Sequence, residues 1–281
     1  MPRCRVAVEG LLGGHSGIEI NKGRGNANKM LGRVLACAAE KTDIRLISLE
    51  GGFAGNVICK AAQAVLCAAD PAAVKAAVEE MQEQFVSELH ETDPGVNVVF
   101  EELEKQSVQA VTAGDTAKII SIFRAVPQGV QAMSKSIEGL VQTSLNLGVI
   151  GLADELELKF SIRSSLAAEK AQTLQTLVDI MQEQGGHVET GGDYPAWEYR
   201  EDSPLRDLMI QTYTDMYGKA PVVTALHAGL ECGLLSGKRP ELDCVSIGPD
   251  LVAVHSVDEK LSIASTKRVW EYLLEVLKRS K

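Results

Sequence analysis

Residues 10–31 read GLLGGHSGIEINKGRGNANKML, and this stretch decides more about the fold than any other part of the 281-residue chain. Its first half, GLLGGHSG, is a glycine-dense turn. Glycines on both sides of His15 let the backbone approach another group closely and leave the imidazole exposed. A polar loop, INKGRGNANK, follows. Arg5–Glu9, before the turn, reads as a strand with alternating faces, and Lys29–Lys41, after it, has the apolar spacing of an amphipathic helix.

The same reasoning predicts mixed strands and helices up to residue 190. The further predicted strands are Ile44–Leu49, Ala62–Ala68, Val96–Glu101, Ser144–Gly151, Glu155–Ile162 and Val188–Thr190. The further predicted helices are one that Pro71 opens, Asp115–Arg124 and Glu169–Gln184. From Gly191 the sequence GGDYPAWEYREDSP is a loop with two prolines and a tryptophan, which makes it the best candidate for a domain crossing.

Beyond that loop, helices and strands are predicted to alternate. The predicted helices are Pro204–Tyr217, Leu230–Ser236 and Ser265–Arg279, and the predicted strands are Val222–Ala225 and Cys244–Ile247. This order is typical of an α/β domain, but two strands are too few for a full sheet. We therefore expect an α+β domain over residues 1–192 and about half of an α/β domain over residues 193–281.

Composition excludes several classes of function. The chain has 45% hydrophobic residues and a formal net charge of −10. The negative charge argues against nucleic acid or an anionic membrane as partner, because both attract positive surfaces. No window is apolar enough to suggest a membrane span, and no secretory signal is visible at the start. The six cysteines are scattered without a CxxC pair, which predicts reduced thiols in the cytoplasm.

Four stretches contain residue types that suit binding or catalysis. They centre on His15, on Arg163 at the end of a predicted strand, on the turn LHAGLECG at residues 226–233, and on His255 in HSVDE. Arginine can hold a carboxylate by two parallel hydrogen bonds, and a strand-to-helix turn offers backbone N–H groups to an anion. Taken singly, each stretch has an ordinary alternative: a surface histidine, a solvated charge, a plain turn, or a histidine without the further ligands that a metal requires.

Together, the GGHSG and GNANK motifs, followed by LHAGLECGLL, VSIGP and HSVDE, resemble the aminoacyl-histidine (Xaa-His) dipeptidases of the two-zinc metallopeptidase superfamily. The resemblance extends over essentially the whole chain. It implies an α+β lid domain, which often also mediates dimerisation, followed by the carboxyl-terminal part of an α/β zinc-peptidase catalytic domain. The implied substrates are Xaa-His and related dipeptides.

The resemblance also implies roles for individual residues. His255 matches the last zinc ligand, and His15 matches a lid histidine that stabilises the oxyanion of the tetrahedral intermediate, in relatives from the facing subunit. Asn56 matches a lid asparagine that contacts substrate, although its surroundings, Gly-Asn-Val-Ile-Cys, depart from the usual Arg-Asn-x-Ile-Pro. Arg163 matches the arginine that holds the substrate carboxylate, and Gly229 matches a backbone contact to the same end of the substrate.

The family's mechanism uses two zinc ions that lower the pKa of a shared water and a glutamate that takes its proton. Its other metal ligands begin with a His-x-Asp motif, which this sequence does not contain. We therefore expect an amino-terminally truncated dipeptidase that is inactive alone and does not bind zinc tightly. The alternative, from another functional class, is a non-enzymatic dimerisation or binding module derived from the lid domain.

Overall fold

The computed structural model describes residues 1–225, 227, 230–252 and 259–280. The chain divides into two compact units, Met1–Gly192 and Asp193–Lys281. The strands of the first unit are β1 (Arg3–Glu9), β2 (Gly14–His15), β3 (Ile44–Gly51), β4 (Val57–Ile58), β5 (Ala62–Ala68), β6 (Asn97–Leu103), β7 (Gly129–Met133), β8 (Val141–Leu152) and β9 (Leu156–Ser164). Its helices are α1 (Ala27–Lys41), α2 (Pro71–Leu89), α3 (Ala113–Ala125) and α4 (Ala167–Glu183), with a 3₁₀ turn at Ile20–Lys22.

Seven of these strands form one antiparallel sheet in the order β6–β1–β5–β3–β8–β7, with β9 paired to β8. β8 is the branch point of the sheet. Along one edge it pairs with β9 over almost its whole length. Its other edge is divided between β7, at residues 141–145, and β3, at residues 150–152. β2 and β4 form a separate two-stranded sheet.

The main core lies between the sheet and helices α1 and α2. β5 alternates buried and partly exposed residues, so Ala62, Ala64, Leu66 and Ala68 join the buried face of α1 in one apolar cluster. The packing of α1 against α3 leaves no room for a side chain at Gly32, where a Cβ would lie 2.6 Å from the Cβ of Phe123. Close packing of this kind makes the position of α1 in the core highly specific.

A second apolar cluster covers one face of the β8–β9 pair. Leu145 and Ile162 are cross-strand partners in this cluster, and they pack with residues of α3 and α4. Because successive side chains of a strand point to opposite faces, the neighbouring pairs Ser144–Arg163 and Asn146–Ser161 point to the other face. Ser144 and Asn146 of β8 and Arg163 of β9 therefore share the face opposite to this cluster.

The second unit contains α5 (Pro204–Tyr217), α6 (Glu231–Lys238), α7 (Ile263–Arg279) and a two-stranded pair formed by β10 (Leu251–Val252) and β11 (Lys260–Leu261). α5 and α7 pack together through a small cluster centred on Met209, Tyr272 and Val276. The Tyr272 hydroxyl donates a hydrogen bond of 2.7 Å to the Met209 carbonyl. Within the described residues, no helix is long and apolar enough to cross a membrane.

Most predicted elements lie within a few residues of their observed bounds, and Ala62–Ala68 and Pro204–Tyr217 agree at both ends. Three predicted strands are wrong. Residues 188–190, 222–225 and 244–247 are all described, and they form no strand. A strand needs a neighbour to bond its backbone, and a short apolar run predicts only the tendency to pair. At Val222, for example, 91% of the residue surface is exposed.

Candidate functional site

The turn that contains His15 is tied to the segment that contains Asn56. In the β2–β4 pair, His15 lies opposite Val57 and Gly14 lies opposite Ile58. The Ser16 amide donates a hydrogen bond of 3.0 Å to the Asn56 carbonyl, which continues the pairing by one residue. His15 and Asn56, which are 41 positions apart in the sequence, are therefore brought close together, with Asn56 directly before β4.

A partly exposed cluster of charged side chains packs against this turn. The Glu19 carboxylate accepts a 2.8 Å hydrogen bond from the His15 backbone N–H, and it forms ion pairs with Arg24 at 3.1 Å and Lys22 at 2.9 Å. The backbone hydrogen bond from His15 and the side-chain bond from Lys22 lower the pKa of the Glu19 carboxyl to about 2. A Cβ at Gly14, whose φ is 143°, would lie 2.7 Å from the carboxylate Oε2 of Glu19, so a side chain at this position would displace that carboxylate.

The hydrogen bonds of His15 fix which ring nitrogen carries the proton. Its Nδ1 accepts hydrogen bonds from the backbone N–H groups of Gly17, at 3.1 Å, and Ile18, at 3.4 Å. A neutral imidazole has one donor and one acceptor nitrogen, so acceptance at Nδ1 assigns the proton to Nε2. The half-buried ring therefore presents Nε2–H as its hydrogen-bond donor.

The GNANK motif is structural. Asn26 caps the first turn of α1 by accepting from the amides of Asn28 and Lys29, and its side-chain amide donates to the Leu147 carbonyl of β8 at 3.0 Å. Asn28 donates to the same carbonyl at 3.1 Å. Gly25 donates its N–H to the fully buried Asp93 at 2.7 Å. The motif therefore fixes the start of α1 against β8, beneath the segment that contains Asn56.

Arg163 of β9 is on the same sheet face as Asn146 of β8, which also contacts the Asn56 segment. Among the described residues, its buried Nε has no hydrogen-bond partner. Burial lowers the pKa of the Arg163 guanidinium, because desolvation disfavours the charged form. A buried donor without a partner is costly in a folded protein, so this arginine is suited to receive an external acceptor such as a carboxylate.

Two candidate residues, Gly229 and His255, lie outside the described residues. Within the described part of the chain, no three His, Cys, Asp or Glu side chains come together in a group that could hold a metal ion. The described residues alone therefore do not form a metal centre. The structure does bring His15 and Asn56 together, and it adds Glu19 and Asn146, which the sequence patterns did not single out.

Known proteins resemble this chain over nearly its whole length. Residues 6–97 match the family model described as a peptidase dimerisation domain. The chain is 38% identical over 277 residues to the cytosol non-specific dipeptidase of Escherichia coli (strain K12), covering 98% of this chain and 57% of the relative. The crystal structure of aminoacylhistidine dipeptidase from Vibrio alginolyticus superposes with a TM-score of 0.92 at 32% identity, covering 99% of this chain and 57% of that one.

The chain is homologous to these dipeptidases. The resemblance that the sequence motifs indicated is confirmed. The predicted fold class is confirmed as well, because the peptidase dimerisation domain is present and the mixed helix and sheet content superposes on a dipeptidase structure. This dipeptidase homologue spans 57% of the length of each relative. The match to the family model begins within β1, includes the His15 turn, α1 and the Asn56 segment, and ends at the start of β6.

Proposed function

We propose that this chain forms the substrate-binding part of a metal-dependent dipeptidase that hydrolyses Xaa-His and related dipeptides. The observation that carries the proposal is the pairing of β2 with β4, which places His15 opposite Val57, next to Asn56, whose carbonyl accepts from the Ser16 amide, together with the His15 proton on Nε2. Homology to two dipeptidases supplies the class of reaction. The name of the Escherichia coli relative, a cytosol dipeptidase, supports the cytoplasm as the location.

His15 is proposed to act on the transition state. When water adds to the peptide carbonyl, negative charge develops on the carbonyl oxygen, and a preorganised N–H donor lowers the energy of that oxyanion. Nε2–H of His15 is such a donor, because the backbone of Gly17 and Ile18 already fixes the tautomer through Nδ1. The turn therefore needs no rearrangement of the ring proton before the reaction.

The other residues are proposed to hold the substrate. Arg163 binds the carboxylate at the carboxyl end of the dipeptide, and its unpartnered buried Nε supports this role. The exposed Asn56 contacts the substrate beside His15. By the family resemblance, Gly229 adds a backbone contact to the same end of the substrate as Arg163.

The metal is proposed from the family resemblance. Two zinc ions would activate the attacking water in the assembled enzyme, and this chain would contribute His255 as one ligand. A binuclear site requires several converging ligands, so we propose that the 281-residue chain alone is inactive and binds zinc weakly. Titration of the chain with zinc at neutral pH tests this, since two tight sites removed by His255→Ala would contradict it.

The first unit is proposed to mediate formation of a homodimer and to act as the lid domain, with residues 193–281 as part of the catalytic domain. The match of residues 6–97 to a peptidase dimerisation domain supports the first part. Sedimentation equilibrium of the chain measures the assembly directly. A chain that stays monomeric at micromolar concentration would count against it.

A chimaera tests the proposed activity. This chain would replace the matching 57% of the Escherichia coli dipeptidase, to which it is 38% identical. We expect the purified chimaera to hydrolyse Xaa-His dipeptides, to lose activity on removal of metal and to regain it when zinc is returned. A folded, metal-loaded chimaera without peptidase activity would overturn the proposal.

A further inference from the structure

Asn146 is a buried amide in the middle of β8, and only 1% of its surface is exposed. Burying a side-chain amide is costly unless its donors and acceptors are bonded. All of its hydrogen-bonding capacity is used. Its Nδ2 donates to the carbonyls of Gly55 at 2.8 Å and Val57 at 2.9 Å, and its Oδ1 accepts from Asn26 and Gln128, both at 3.2 Å.

The two carbonyls that Asn146 holds are those on either side of Asn56. The carbonyl between them, on Asn56 itself, accepts from the Ser16 amide at 3.0 Å. The segment is thus fixed on one side by the side chain of Asn146 and on the other by the turn that contains His15. A shift of this segment would move Asn56 and the partner strand of His15 together.

The close approach of the segment to β8 is built into the backbone. A Cβ on Gly148 would lie 2.5 Å from the Ala54 carbonyl oxygen, and a Cβ on Gly52 would lie 1.8 Å from the Gly148 carbonyl oxygen. The β8–β9 register also shifts between residues 147 and 149. The segment therefore packs directly against β8. The Asn146 side chain is the polar group that fixes the distance of the segment from β8 and its orientation.

We infer that Asn146 is a positioning residue of the site: it does not touch the substrate, but it holds the Asn56 segment and, through that segment, the orientation of His15. The catalytic part of this inference rests on the function proposed above, whereas the structural part does not. Asn146 is paired by register with Ser161, two residues before Arg163. Asn146 thus lies on β8 between the Asn56 segment, which its side chain holds, and β9, the strand of Arg163.

Hydrogen exchange on the 281-residue chain tests the structural part. Asn146→Ser removes both contacts to the segment, and we expect protection of the Ser16 amide to fall by roughly 10-fold or more. Gln128→Ala removes the hydrogen bond to Asn146 and the one that Gln128 accepts from the Leu147 amide, but it leaves both contacts of Asn146 to the segment, so it should give a smaller loss. The control is Thr143→Val, which removes hydrogen bonds from an equally buried residue of β8 whose partners, Ser164 and Glu169, lie away from the segment. Unchanged Ser16 protection in both test variants would overturn the inference.

Kinetics of the active chimaera test the catalytic part. Asn146→Ser should lower kcat by roughly 10- to 100-fold with little change in KM, because misplacement of a donor acts on the transition state. Added to His15→Ala, it should lower kcat little further, since both changes remove the same contact. Fully multiplicative effects would overturn the inference. If His15→Ala is harmless but Ser16 protection still falls in Asn146→Ser, the proposed function fails while the structural role of Asn146 stands.

Discussion

At the level of single residues, His15 is oriented by groups within ten residues of it. Glu19 binds its backbone N–H, and the amides of Gly17 and Ile18 bind its ring. Gly13, with φ of 65°, and Gly14, with φ of 143°, adopt left-handed backbone conformations that other residues rarely adopt. The turn therefore requires the glycines of the GGHSG pattern, and Glu19, four positions after His15, helps to hold the same turn.

Glu19→Gln tests the contribution of the Glu19 carboxylate to the stability of the fold through its pH dependence. Because the folded-state pKa of Glu19, about 2, lies below its ordinary value of 4.5, its ionised form stabilises the fold above pH 4.5, and that contribution is lost as pH falls towards 2. We expect the variant to be less stable at neutral pH, with a difference that shrinks towards about pH 3. Urea unfolding followed by far-ultraviolet circular dichroism measures it. Glu83→Gln, at an exposed position of α2, controls for net charge, and a pH-independent difference would contradict the expectation.

Arg163 is tested through substrate affinity in the active chimaera. A carboxylate clamp acts in both the bound substrate and the transition state, so Arg163→Ala should raise KM by roughly 10- to 100-fold, which corresponds to loss of a charged hydrogen-bonded contact. Arg163→Lys should recover only part of the affinity, because lysine cannot form the two-pronged contact. With dipeptide amides as substrates, which lack the carboxylate, the variants and the parent should behave alike. An equal loss with the amide would rule out the clamp.

At the level of elements, β8 and α1 form the frame beneath the candidate site. Asn26 begins α1 and bonds the Leu147 carbonyl of β8, so the helix cannot move independently of the sheet. At the other side of α1, the Lys29 ammonium donates to the carbonyls of Phe123 and Val126 at the end of α3. Burial lowers the pKa of that ammonium. The polar residues of GNANK thus connect the start of α1 with β8 and with the end of α3.

Asn26→Ala is expected to be unusually destabilising for the loss of a helix cap. It removes the cap of α1 and leaves the Leu147 carbonyl and the Asn146 side chain short of a donor, which together should cost roughly 2–4 kcal/mol. Thr112→Ala is the matched control, because Thr112 caps α3 at an exposed position, and its hydroxyl bonds only Asp115, accepting from the amide and donating to the carboxylate. It should cost about 1 kcal/mol. Equal losses, measured by urea unfolding with circular dichroism, would show that the network adds nothing to the cap.

The sequence predicts elements well where local pattern is sufficient. The helix that Pro71 opens and the strand Ala62–Ala68 follow from proline placement and alternation alone. β7 was missed because GVQAM has neither strong alternation nor clear boundaries. The importance of Asn146 could not be predicted from one sequence, because its partners are contributed by residues about 90 and 120 positions away. The candidate residues themselves came from motif resemblance, and their geometry required the fold.

At the level of the whole molecule, the two units differ in how much apolar surface they bury. The first unit has an extensive core around α1, α2 and the sheet. Among the described residues of the second unit, the buried apolar core is one small cluster, and large apolar residues such as Val222 and Ile263 have 91% and 85% of their surface exposed. Since burial of apolar surface is the main stabilising term in folding, we expect the second unit to be the less stable one.

Spectroscopy can separate the two units because all tryptophan and tyrosine residues lie in the second one. Unfolding followed by fluorescence of Trp197 and Trp270 should occur at lower urea than the main loss of circular dichroism. Limited proteolysis should cut first between Tyr194 and Asp202, in a stretch without helix or strand, and leave the first unit intact. Coincident transitions, or survival of the carboxyl-terminal fragment alone, would contradict this order.

The kcat of His15→Ala in the chimaera shows whether His15 acts on the substrate during peptide hydrolysis. Loss of one oxyanion donor should lower kcat by roughly 100- to 1000-fold, about 3–4 kcal/mol, with KM affected much less. The metal content should be unchanged, because His15 is proposed as a donor to substrate and not as a ligand. A variant that folds, holds its metal and keeps the kcat of the parent would contradict the account.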